Sequence, residues 1–344
     1  WRDLRDLAMS DDGYTLAVVE YSGNLRTSSD GYNWNDAYNG YNDLNSQDWQ
    51  AIAMSADGGT MVAVATTGYN AGGFYLSTDS GANWNKAVFG GSASLNLVDV
   101  AVAGSGSRLS AAANGGPVWI SADAGTTWAT EPPAGITPAP TVPMAPAPTP
   151  APSASPRAWS AIASSADGAR LAATVSAGSI YTSADSGASW TEDATAGARN
   201  WVSIAMSADG QRLAAVEGSV DLSYCDVSGS LWTSSDFGAS WTEQAGLGSN
   251  CWRGVAMSGD GATVAAVVGE GSIWVSTDYG SSWSETSDPA GGDDDYSTTY
   301  YWRAVAVSSD GTKLAAAHQY GLWTSDDSGA TWSTDTSYSW SDLR

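Results

Sequence analysis

The octapeptide Ser-x-Asp-x-Gly-x-x-Trp occurs six times in this chain, at Ser77 to Trp84, Ser121 to Trp128, Ser183 to Trp190, Ser234 to Trp241, Ser276 to Trp283 and Ser325 to Trp332. A seventh copy, built on Ser28, Asp30, Gly31 and Trp34, is one residue shorter. Such recurrence demands a repeated supersecondary unit, because a single unit cannot bury its apolar face and must stack on its neighbours. A second pattern lies upstream of each copy: Trp-x-x-Ile/Val-Ala-Met-Ser-x-Asp-Gly, then Leu-Ala-Ala-Val. It is clearest at Trp201 to Gly210 with Leu213 to Val216, and Trp49, Trp159, Trp252 and Trp302 open four more. Leu4 and Val98 are read at the Trp position of units 1 and 3.

Each unit therefore holds four β-prone runs separated by turn chemistry. Four strands in each of seven units predict an all-β chain, a seven-bladed β-propeller of four-stranded antiparallel blades. The blades are expected near residues 4–37, 49–87, 98–131, 159–193, 201–244, 252–286 and 302–335 of one domain spanning 1–344, with a proline-rich insertion at 132–156. The Leu-Ala-Ala-Val runs are apolar on both faces, as strands packed between two neighbouring blades require. Within the octapeptide, Ser and Asp suit turn amides, Gly suits a positive φ, and Trp anchors the hairpin in the seam between blades. Asp30, Asp79, Asp123, Asp185, Asp236, Asp278 and Asp327 are accordingly read as structural.

These motifs resemble those of the Asp-box, or bacterial neuraminidase repeat, proteins, which include sialidases, xyloglucan-cleaving hydrolases, sortilin-like receptors and photosystem II assembly factors. The resemblance spans nearly the whole chain and implies the propeller fold with the Asp box as a structural turn. That scaffold carries enzymes, receptors and assembly factors alike, so function has to be read from the residues grafted onto it.

Net charge is −24, from 37 acidic and 13 basic residues. This balance repels phosphate backbones and anionic lipid, so neither nucleic acid nor a membrane surface is an expected partner. No apolar run approaches the roughly 20 residues of a membrane-spanning helix. The chain opens at Trp1 on fold-like sequence without Met or signal peptide, and is read as a processed or partial product of a secreted, extracellular protein.

In an up-and-down blade, the first-to-second and third-to-fourth turns share one face, and the remaining loops share the other. Cys225 and Cys251 fall on that second face in adjoining blades, which predicts a disulfide and an oxidising compartment. Turn spacings on the first face are nearly constant, whereas loop lengths on the second vary widely, and such a face is where binding resides. Ten of the twelve prolines lie between Pro132 and Pro156, with Thr137, Thr141, Thr149, Ser153 and Ser155 as candidate O-glycan acceptors in an extended arm. Asp293, Asp294 and Asp295 admit two readings, a calcium site or a solvated charge run; no other cofactor is expected. Tyr38, Tyr41, Tyr69, Tyr296, Tyr300 and Tyr301 are candidate contacts for a glycan or protein partner.

The residue after the Trp position reads Arg5, Gln50, Asp99, Ser160, Val202, Arg253 and Arg303 around the units. Units 6, 7 and 1 are contiguous in a closed ring, so Arg5, Arg253 and Arg303 form a candidate clamp for a carboxylate or sulfate, similar to the arginine clamp of sialidases. The competing reading pairs each arginine with a loop acid such as Asp6, Asp48, Asp294 or Asp295. Catalytic residues are not evident: His318 is the sole histidine, and Glu192, Glu243 and Glu285 fall in polar outer strands. A buried carboxylate pair facing the arginines would separate catalysis from binding. Finally, Trp1-Arg-Asp-Leu-Arg5 recurs as Trp340-Ser-Asp-Leu-Arg344; the conservative reading is that the second copy closes the ring against unit 1, the others that it opens a further propeller of a tandem protein or meets a neighbouring subunit head to tail. The expectation is a secreted, non-enzymatic binding or structural module, such as a subunit of an extracellular filament, sheath or wall. The alternative is a carbohydrate-active enzyme or lectin that takes an acidic glycan at the arginine-lined mouth.

Overall fold

The computed structural model describes residues 3–37, 44, 47–66, 73–87, 96–130, 157–193, 195–219, 225–286, 300–319 and 321–334. Among them are 28 β-strands and a single 3-10 turn, Ala245–Leu247, with no α-helix. Unit 1 shows the plan: Leu4–Met9, Leu16–Gly23, Leu25–Ser28 and Trp34–Asp36 pair in sequence as an antiparallel meander. The first strands of the later units are Gln47–Met54, Leu97–Val102, Arg157–Ser164, Arg199–Met206, Trp252–Met257 and Trp302–Val307. Each first strand packs beside the next, and that of unit 7 packs against that of unit 1, so the units close into a circle.

Burial follows from the alternation of side chains along a strand. In the second strand of unit 1, Ala17 and Val19 join a cluster shared with unit 2, while Leu16 and Val18 join one shared with unit 7. Seven hydrophobic clusters, each drawn from two neighbouring units, fill the seams in this way. Runs apolar on both faces are thus required, because each face meets a different neighbour. The strand-opening tryptophans tie the same seams with a polar bond: Trp49, Trp159, Trp252 and Trp302 donate Nε1–H to carbonyls of Gly23, Gly116, Gly229 and Gly271 in the preceding unit.

The first turns form a continuous belt. Asp11 N–H donates to Ala56 O, Ala56 to Gly104, Gly104 to Ala166, Ala166 to Ala208, Ala208 to Gly259, Gly259 to Ser309, and Ser309 back to Asp11, all within 2.8–3.0 Å. These positions hold only small residues and one Asp. Close approach is the reason: a Cβ built on Gly259 would lie 3.1 Å from Ser309 O.

Each full-length octapeptide places two consecutive residues at positive φ, as at Ser80 (57°) and Gly81 (83°). The non-glycine member donates its N–H to the carbonyl just past the first-turn glycine, Ser80 to Gly59 and Ala124 to Ser107. That bond joins the two turns of one face. In unit 1 this residue is the one missing, and only Gly31 is left-handed. Ser77 Oγ caps Gly81 N–H, and Asp79 accepts from Ser77 Oγ and from the main-chain and side-chain amides of Asn83. The Asn83 side-chain amide first, then its N–H, hold the Asp79 carboxyl below the usual carboxylate range.

Register corrects one expectation. Leu97, not Val98, pairs with Ala113 ahead of the bulge, as Trp49 pairs with Ala65 and Trp159 with Val175. Leu97 is therefore the tryptophan equivalent of unit 3, buried as those tryptophans are. Its spacing to Gly106 then equals the nine residues from Trp201 to Gly210.

Candidate functional site

The first strands converge on the axis around a cavity of about 290 Å³. One layer of its wall is the residue following the tryptophan position: Arg5, Gln50, Val98, Ser160, Val202, Arg253 and Arg303. The corrected register puts Val98 in this layer and moves Asp99 to the next, alongside Asp6, Ala51, Ala161, Ser203, Gly254 and Ala304. The arginines of units 6, 7 and 1 thus stand on three consecutive strands, with the two carboxylates in units 1 and 3.

Beyond a short pairing at the starts of the first strands of units 2, 4 and 5 with the preceding unit, the inner edges have no strand partner among the described residues, so their inward amides need other acceptors. Asp6 Oδ2 accepts from Ile52 N–H of unit 2 at 2.8 Å, and its carboxylate also takes Leu7 N–H. Asp99 repeats the device: Oδ2 takes Ile162 N–H of unit 4 at 2.7 Å and Oδ1 takes Val100 N–H at 2.8 Å. Ser203 Oγ accepts from Val255 N–H of unit 6 at 3.3 Å. Three side chains in alternate units therefore clip units 1 to 2, 3 to 4 and 5 to 6. Both carboxylates keep some surface toward the cavity, yet protein surrounds them on the axis. Burial pushes Asp6 up to about 7 against the pull of its amides. Burial, reinforced by the Asp6 charge, pushes Asp99 up to about 8.

The arginines are engaged on their own chain, and among the described residues Asp6 and Asp48 serve other donors. Arg303 Nη2 lies 3.3 Å from Asp3 Oδ1. Arg253 Nη1 donates to Ser219 O at 2.7 Å. The Arg5 guanidinium stacks 4.3 Å from the Tyr21 ring centre, and its Nε is buried without a hydrogen-bond partner among the described residues. Asp6 serves main-chain amides instead, and Asp48 accepts from Ser22 Oγ. Cys225 and Cys251 are joined, with Cα atoms 5.5 Å apart.

Tyr300 is partly buried against Trp302, His318 and Trp323, and Tyr301, two residues before Arg303, is exposed. Tyr38, Tyr41, Tyr69, Tyr296, Asp293, Asp294, Asp295, Thr137, Thr141, Thr149, Ser153 and Ser155 lie outside the described residues, as do Asp294 and Asp295 as arginine partners. No group of three or more His, Cys, Asp or Glu suited to a metal ion occurs among the described residues. The sequence reading missed Tyr21, exposed beside Arg5, and the clipping role of Asp6, Asp99 and Ser203. Its available signal was a polar residue two places after the tryptophan position in alternate units, hidden by the register of unit 3.

A family model, the BNR-Asp box repeat, matches residues 231–244. The chain is similar in structure to the GH74 xyloglucanase from Xanthomonas campestris, with a TM-score of 0.71 and 18% identity over 96% of this chain and 52% of that one. It thus spans about half the length of the xyloglucanase. It is also similar to YCF48 bound to D1 peptide, with a TM-score of 0.64 and 15% identity over 95% and 93% of the two chains. YCF48 from Cyanidioschyzon merolae gives a TM-score of 0.59 and 16% identity over 95% of each. No curated protein matches the chain. Residues 231–244 thus match a BNR-Asp box repeat, and the structural neighbours are β-propellers.

Proposed function

We propose that the chain is a secreted, seven-bladed β-propeller with four strands per blade, acting as a binding module whose ligand presents an acidic group to Arg5, Arg253 and Arg303. The observation that carries this reading is the placement of these arginines on three consecutive first strands lining the cavity, with the exposed Tyr21 ring stacked on Arg5 and the exposed Tyr301 two residues before Arg303 in sequence. A guanidinium presents its donors as a planar fork that matches a carboxylate or sulfate. Aromatic faces beside cations suit a sugar or an aromatic peptide side chain. The disulfide supports an oxidising, extracellular setting. Against catalysis stands the commitment of Asp6 and Asp99, whose carboxylates each hold amides of two units. A general acid or base has to be free to reach its substrate proton.

Calorimetry with uronate-bearing and sulfated oligosaccharides, set against neutral xyloglucan oligosaccharides, tests the reading. The acidic probes should bind more tightly, less so at high salt. Combined Arg5→Gln and Arg303→Gln substitution should cost at least tenfold in affinity, about 1.4 kcal/mol. Equal binding of neutral and acidic probes, unaffected by the substitutions, would overturn it.

The recurrence of Trp-x-Asp-Leu-Arg at 1–5 and 340–344 favours a second reading, a subunit repeated head to tail in an extracellular filament, sheath or wall. A heterologous interface of that kind propagates unless its rotation closes a ring. Sedimentation over a rising concentration series, with and without residues 340–344, tests it. A chain that stays monomeric throughout refutes self-association.

A further inference from the structure

Arg5 and Asp6 follow one another on the first strand of unit 1, and Asp99 lines the same axial cavity from unit 3. With Arg253 and Arg303 they are the only charged side chains of the cavity wall among the described residues. Charge is split by layer. The residues after the tryptophan position supply the cations, and the next layer, about 3.3 Å along each strand, supplies the carboxyls. The rest of that second layer is Ala51, Ala161, Ser203, Gly254 and Ala304, none larger than serine, so the space beside the carboxyls stays open.

The two ends of this arrangement are incomplete in opposite senses. Asp6 takes the amides of Ile52 and Leu7, and Asp99 takes those of Ile162 and Val100. An ionised carboxylate has about four acceptor sites, so two amides occupy half of them. No ion pair reaches either carboxyl among the described residues, and the charge that acts on Asp99 is that of Asp6, which raises it. Two carboxyls that repel across one cavity are stabilised in their charged form by a cation set against both. Arg5 has the converse need: it stacks on Tyr21, and its buried Nε has no hydrogen-bond partner among the described residues. A guanidinium of that kind is completed by a carboxylate.

We propose that the axial cavity takes a small zwitterion, a free α-amino acid, with its carboxylate on Arg5 and its ammonium group against Asp6 and Asp99. This names the ligand class of the acidic-group site proposed above and rests on that reading for the Arg5 end. An α-amino acid carries both charges on one carbon, a separation that suits adjacent layers of the wall. The cavity, about 290 Å³, lies at the small end of ligand pockets. Three N–H donors on the ammonium group match the open acceptor sites of two carboxyls. Asp6 and Asp99 need not move for this, so their bonds to the amides of two units persist.

A proton accompanies the ligand. Burial leaves both carboxyls partly protonated near neutral pH, with Asp6 at about 7 and Asp99 at about 8. An ammonium group favours their ionised form, so its arrival expels protons to solvent. Arg5, Arg253 and Arg303 stand in the adjoining layer before and after binding alike.

Titration calorimetry of the full chain at pH 7.5 tests the proposal with three probes: glycine, N-acetylglycine, which keeps only the negative charge, and methylamine, which keeps only the positive one. Each is run in two buffers of different ionisation enthalpy, so that proton release is read directly. Glycine should bind at least tenfold more tightly than either other probe and release up to about one proton. Asp99→Asn should abolish the release and weaken glycine at least tenfold while sparing N-acetylglycine. Near-ultraviolet circular dichroism shows whether that variant is folded, and the wild-type series decides the matter if it is not. Absence of glycine binding overturns the proposal, as does glycine binding without proton release. N-acetylglycine bound as tightly as glycine overturns it too, and leaves the acidic-group reading standing. Methylamine bound as tightly as glycine, with Arg5→Gln without effect on glycine, overturns both.

Discussion

Ser309 N–H donates to Asp11 O at 2.9 Å, joining the first turn of the last unit to the first turn of unit 1. These residues lie at opposite ends of the described chain, and their bond is the seventh link of a belt whose other six join consecutive units. Closure on this face therefore uses the same interaction as every internal junction. Apolar closure is equally regular, since the seam of units 7 and 1 has its own cluster of leucines, alanines and Trp34.

The belt can be tested with one backbone donor. Ser309 is the second residue of a turn in which Gly311 N–H bonds Ser308 O, a position proline accepts readily. Ser309→Pro should therefore delete the donor with little added strain and leave Asp11 O short of a partner, lowering stability by about 1–3 kcal/mol. Ser309→Ala, which keeps the amide and loses only the side-chain bond to the Asp11 carboxylate, should cost less. Urea unfolding of the two variants decides the matter, and equal stabilities would show that the closing bond carries no weight.

Opposite outcomes are expected at two adjacent positions of one octapeptide. Ala124 sits at φ 52°, where a Cβ is strained, so Ala124→Gly should stabilise by up to about 1 kcal/mol. Gly125 has φ 84°, and a Cβ there would meet Leu76 at 3.0 Å and Leu109 at 3.2 Å. Gly125→Ala should accordingly destabilise. Thermal unfolding of both variants gives the signs.

Asp6 and Asp99 should titrate far from the other acids. Carboxyl carbon NMR of the labelled chain should show them changing near pH 7 and pH 8, while Asp79 and the other turn aspartates complete their change at low pH. Raised carboxyl pKa values mean that the native state holds more protons than the unfolded chain between about pH 4 and 8. Their contribution to stability is complete below the unfolded value and is lost as pH rises through 7 and 8. Ordinary titration of both groups near pH 4 would contradict the buried setting of the clips.

His318 should act in the opposite sense. It is packed among Tyr300, Trp302 and Trp323, and burial lowers its pKa to about 4 from an unfolded value near 6.5. Its stabilising contribution is complete above pH 6.5 and is lost as pH falls through 4, by up to about 3 kcal/mol. Replacing it by phenylalanine should remove that acid-side loss. The difference in melting temperature between wild type and His318→Phe, followed from pH 7 to pH 4, checks the sign.

The sequence by itself determined the elements whose cause is local. Ser77, Asp79 and Gly81 specify their turn because the hydrogen bonds and the positive φ lie within a few residues, and the same holds for each copy. The Leu-Ala-Ala-Val runs announced strands buried on both sides, and turn alternation put Cys225 and Cys251 on one face, where they are joined. Candidate residues were legible as a ring position, Arg5, Arg253 and Arg303, since regular spacing converts sequence order into angular order. The tertiary structure decided what depends on neighbours from different units. A slip of one residue exchanges the two faces of a strand, so only pairing with Ala113 could show that Leu97 replaces tryptophan and that Asp99 belongs with Asp6. Likewise, Asp6 acquires its role from Ile52 N–H, an amide 46 residues away that turns inward only when the first strands stand around a common axis. Whether an arginine is covered, as Arg253 is by Ser219 and Cys225, or stacked, as Arg5 is on Tyr21, rests on loops that meet only in the closed ring.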